Sequence, residues 1–67
     1  MEIIVADCLI QWKEGKKLEH VLMSIDGYDD DNIFFVCNSK EEFERLSKNG
    51  NGEDFNIIRY TYIKYAI

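Results

Sequence analysis

Apolar and polar residues alternate with a period of two over residues 2–13. In an extended chain Ile4, Ala6, Cys8, Ile10 and Trp12 share one face, and Ile3, Val5, Asp7, Leu9, Gln11 and Lys13 share the other. Such a pattern predicts a long strand. Glu14-Gly15-Lys16-Lys17 reads as a hairpin turn. Alternation resumes over 18–26, with Val21, Met23 and Ile25 on one side and Leu18, His20, Leu22 and Ser24 on the other. That predicts a second strand, antiparallel to the first.

From Asp26-Gly27 to Asn32 the chain is polar and rich in turn formers, so a loop is expected. Ile33-Phe34-Phe35-Val36-Cys37 is apolar at every position. A short continuous run of β-branched and aromatic residues predicts a strand covered on both faces. Ser39 stands three residues before Glu42, the spacing of a capping box. Glu41, Glu42 and Glu44 crowd the first turn, Lys48 lies near the end, and Asn49-Gly50 supplies a stop. A helix over 39–49 follows, with Phe43 and Leu46 as its narrow apolar stripe. After the Asn49–Gly52 loop, Phe55–Ile67 predicts a last strand. Strict alternation places Phe55, Ile57, Arg59, Thr61, Ile63 and Tyr65 on one face, and Ile58, Tyr60, Tyr62 and Lys64 on the other. The expected fold is a single α+β domain over residues 1–67. It has about four strands, mostly antiparallel, in the order β-β-β-α-β, with the helix packed on one face.

The length is 67 residues, which sets a stability problem. In so short a chain, apolar burial and the entropy of ordering nearly cancel. Two cysteines, each inside a hydrophobic run, do not make a disulfide framework, and with one histidine they show no paired metal-ligand spacing. No metal or cofactor is expected. Self-association remains as the added source of buried surface. One helix covers only one sheet face, so a homo-oligomer is expected, with Trp12, Tyr60, Tyr62 and Tyr65 as its interface because amphipathic aromatics suit such surfaces. No apolar run approaches the length of a membrane span, and the start of the chain lacks a basic region. A cytoplasmic protein that binds no membrane is the expectation.

The formal charge is −5, which argues against direct binding to a nucleic-acid backbone. Charge is unevenly placed. Residues 26–54 hold nine acidic and three basic side chains, a net of −6, against +1 elsewhere. Asp26, Asp29, Asp30, Asp31, Glu41 and Glu44 are therefore the candidate contact residues for a protein partner with a basic surface. His20 lacks an accompanying nucleophile motif, and Cys8 and Cys37 read as packing thiols. The function expected is non-enzymatic: a small acidic interaction protein that modulates or inhibits another protein, in the manner of a phage or mobile-element inhibitor. The alternatives are a small-ligand-binding oligomer with a pocket at the subunit interface, and a small enzyme using His20 and an aspartate across subunits.

Overall fold

A computed structural model describes the backbone of residues 1–67 and all side chains except that of Asn51. The elements are β1 (Glu2–Trp12), β2 (Leu18–Ser24), β3 (Ile33–Val36), α1 (Lys40–Asn49), a 3-10 turn (Gly50–Gly52) and β4 (Phe55–Ala66). All four strands join one mixed sheet in the order β3-β2-β1-β4. The fold is α+β and the sheet is mostly antiparallel: β1 pairs antiparallel with β2 and with β4, while β2 and β3 run parallel. Among the described residues no helix is long and apolar enough to cross a membrane.

The β1–β2 alternation appears as the sequence predicts. Ala6 stands opposite Met23 and Cys8 opposite Val21 on one face, with Asp7 opposite Leu22 and Leu9 opposite His20 on the other. The turn between them uses two successive left-handed residues, Gly15 at φ 81° and Lys16 at φ 58°. Helix α1 covers the first face. Phe43 and Leu46 pack into a core with Ala6, Cys8, Ile10, Val21, Met23, Cys37 and Phe55. Ser39 Oγ accepts the Glu42 N–H at 3.1 Å, and the Glu42 carboxylate reaches back to the Asn38 N–H. One free donor of the first turn and one N–H just before the helix are thereby satisfied. Gly50, at φ 67°, closes the helix by donating to the Leu46 carbonyl.

Two elements depart from the sequence reading. In β4, Leu9 pairs with Arg59 but Ile10 pairs with Ile57, so Ile58 is an extra, unpaired residue. This bulge shifts the side-chain phase by one. Phe55 and Ile57 consequently join Tyr60, Tyr62 and Lys64 on the helix face, while Arg59, Thr61, Ile63 and Tyr65 take the far face. The second departure is in β3, where the apolar run is not covered throughout: Ile33 is buried and Phe35 half-buried, but Phe34 is exposed, and the strand lies at the edge of the sheet. It pairs only with residues 22–24 of β2, and Phe34 falls outside the register. Because the two strands overlap so little, a loop of eight residues suffices for a parallel connection that usually takes a dozen or more.

Candidate functional site

The loop between β2 and β3 organises the surface opposite the helix. Its turns are made by aspartates: Asp26 Oδ1 accepts the Tyr28 N–H at 3.2 Å, and Asp30 Oδ1 accepts the Asn32 N–H at 2.8 Å. Both are Asx-type turns, in which a short carboxylate replaces a backbone acceptor. The other Asp30 oxygen receives the hydroxyls of Tyr28 (2.9 Å) and Tyr65 (2.7 Å), and Asn32 Nδ2 donates to Tyr65 Oη at 3.3 Å. Tyr65 belongs to β4, at the opposite sheet edge. The loop therefore crosses the far face and is pinned there. Beneath it Val5 and Ser24 are fully buried. The Tyr65 hydroxyl, with the other donors, holds the Asp30 carboxyl below its ordinary range, and Asp30 in turn raises both tyrosines.

This arrangement divides the acidic residues. Asp30 is half-buried and spends its oxygens inside the chain. Glu44 is also half-buried and accepts the Tyr62 hydroxyl at 3.0 Å. Asp26, Asp29, Asp31 and Glu41 are exposed. The Gly27 N–H donates to the Cys37 carbonyl at 2.9 Å, which sets the start of the loop beside the start of α1. That contact brings Asp26, next to Gly27, toward the start of the helix, whereas Asp29 and Asp31 flank Asp30, which is pinned to Tyr65 on the face opposite the helix. Among the described residues no lysine or arginine forms an ion pair with a carboxylate; the one recorded contact is His20 Nδ1 with Asp7 Oδ1 at 3.8 Å. Their charge is left to the solvent field.

Beside the loop the far face carries an open groove of about 620 Å³. Leu22 and Ile33 are among its apolar lining, and Asp7, His20, Asn32 and Tyr65 supply polar groups. The His20–Asp7 separation exceeds a hydrogen bond, and the imidazole is 67% exposed, so the ring is neither oriented nor desolvated. Cys8 and Cys37 lie in the core, and burial pushes their thiols up to about 12 and about 11. Among the described residues no group of three His, Cys, Asp or Glu side chains is placed to hold a metal ion.

The four aromatics expected at an interface are partly engaged within the chain. Trp12 Nε1 donates to Glu19 at 3.0 Å, and its ring meets Phe34 and Phe55 edge-on. Tyr62 and Tyr65 are tied to Glu44 and Asp30. Tyr60 stacks edge-on against Phe43, with ring centroids 4.8 Å apart, and stays exposed. Sequence reasoning did not find the Tyr28–Asp30–Tyr65 cluster. The Asp-x-Tyr and Asp-x-Asn spacings signal the local turns, but nothing local signals a partner 35 residues away. No protein-family model matches the chain, and neither a curated protein nor a solved structure shows significant similarity to it.

Proposed function

We propose that this chain is a small acidic interaction protein. It binds a protein partner with a basic surface, modulates or inhibits it, and works as a homo-oligomer. The observation that carries this reading is the set of exposed carboxylates with no ion-pair partner among the described residues, Asp26, Asp29 and Asp31 on the β2–β3 loop and Glu41 at the start of α1. Such a surface accelerates encounter with a basic patch and is screened by salt. The side chains of Asp29, Asp31 and Glu41 make no hydrogen bond among the described residues and define the contact. Asp30 serves the fold. The test is a titration of a partner captured from cells against the Asp29→Asn, Asp31→Asn, Glu41→Gln triple variant. Slower association, equal melting temperature and a flatter salt dependence are expected. Affinity and salt dependence equal to those of the unmodified chain would overturn the reading.

A second reading, binding of a small ligand, has the far-face groove in its favour. Its apolar lining and mixed polar groups suit a small amphipathic molecule. A raised melting temperature with such a compound, abolished by Leu22→Glu, would favour it.

A further inference from the structure

The outer edge of β4 has an unusual regularity. Met1 and Ile67 exchange both backbone hydrogen bonds, at 2.9 and 3.3 Å, which fixes the phase of the β1–β4 ladder. Facing pairs in an antiparallel ladder alternate between bonded and non-bonded. Ile3/Tyr65, Val5/Ile63, Asp7/Thr61 and Leu9/Arg59 are therefore the bonded pairs. The N–H and C=O groups of Tyr60, Tyr62, Lys64 and Ala66 point the other way, out of the sheet. The sheet order leaves β4 at the edge, so no strand of the chain meets them. Tyr60, Thr61, Lys64 and Ala66 are exposed.

We infer that this edge pairs antiparallel with β4 of a second copy of the chain, about a two-fold axis at Tyr62. The inference rests on the homo-oligomer proposed above and assigns its contact. Its support is the charge pattern. The only charged residues on β4 are Arg59 and Lys64. With Tyr62 opposite its own copy, Tyr60 faces Lys64 of the second copy on the helix side, and Arg59 faces Tyr65 of the second copy on the far side. Each cation meets a tyrosine ring, and no like charges stand opposite. Shifting the axis to Thr61 or Ile63 keeps the faces matched but sets Arg59 against an isoleucine. The Tyr62-centred register is the one that matches both cations.

The same geometry closes the assembly at two. An isologous contact uses each edge once. The bulge at Ile58 ends the regular stretch at one end of β4. The other edge of the sheet, β3, is four residues long and is itself irregular at Phe34, which is how sheets blunt an edge against further addition.

The experiment combines sedimentation with residue-resolved amide exchange from micromolar to millimolar protein. A particle of about 16 kDa, twice the chain mass of 7.9 kDa, is expected at the higher concentrations. Protection of the Tyr60, Tyr62 and Lys64 amides should rise with concentration, while Thr61 and Ile63 are protected throughout. Lys64→Pro removes an outward N–H and spares the β1 ladder. It should leave the circular dichroism spectrum unchanged and the particle at chain mass. If that variant fails to fold, the amide pattern of the unmodified chain decides. A dimer whose Tyr60, Tyr62 and Lys64 amides exchange freely overturns the edge assignment and leaves the oligomer standing. A particle of chain mass at millimolar concentration overturns both.

Discussion

Ser24 is fully buried on the far face, and its hydroxyl has no hydrogen-bond partner among the described residues. An unsatisfied buried donor costs roughly 1–3 kcal/mol. Ser24→Ala should therefore stabilise the fold by about 1 kcal/mol, raising the melting temperature by several degrees. A fall in melting temperature would show that the hydroxyl is satisfied after all. The two thiols work through protonation. Burial raises them in the folded chain to about 12 for Cys8 and about 11 for Cys37. The unfolded thiol ionises near 8.5. Their contribution to stability is complete below that pH and is lost as pH rises through 11 to 12, because the unfolded chain gives up the protons first. At pH 8 the folded thiols should react with a thiol reagent at least about a hundredfold more slowly than in urea, since the thiolate is the reactive form. Equal rates in the two states would refute this.

At the scale of elements, the helix depends on its cap. Ser39→Ala removes the acceptor for the Glu42 N–H and should cost about 0.5–2 kcal/mol, measured by urea unfolding. An unchanged unfolding midpoint would place the start of the helix elsewhere. The helix and the β1–β2 hairpin were legible because their signals are local: a cap three residues from its partner, and side chains alternating along one strand. β4 was only half legible. Its alternation is true on each side of Ile58, but the bulge between them answers to the β1 register at Ile10, 48 residues away. The adjacent isoleucines 57 and 58 are the one local trace of that break. The apolar run of β3 was misleading for a different reason. A run apolar at every position predicts cover on both faces, but it does not show the irregularity that takes Phe34 out of the register. Here Ile33 packs under the loop side and Phe35 against the helix side, while Phe34 bends toward Trp12 and Phe55.

For the whole molecule, composition announced an acidic stretch, but only the folded chain sorts its members. Asp30 and Asp31 are neighbours of identical chemistry. The carboxylate of one accepts three hydrogen bonds and fastens the loop to β4; that of the other is exposed. A change that reverses the whole Asp29–Asp31 run would therefore confound loss of a contact surface with loss of the loop's anchor. The same sorting explains how one helix suffices for a sheet with two greasy sides. The loop over Val5 and Ser24 covers part of the far face, and Asp7, His20, Arg59 and Thr61 leave another part polar. The apolar surface left for a partner is narrower than alternation alone implies.

The pairing of Met1 with Ile67 has one more consequence. Residues 1 and 67 sit side by side at the same end of the sheet, joined by backbone bonds. A link of a few glycines can fuse them without moving a strand, turning β4 and β1 into a hairpin. The exposed turn at Gly15–Lys16 then becomes a place to open the ring. With residues 1 and 67 so linked, the strands form a closed circuit, and more than one order of strands along a chain accepts the same set of pairings.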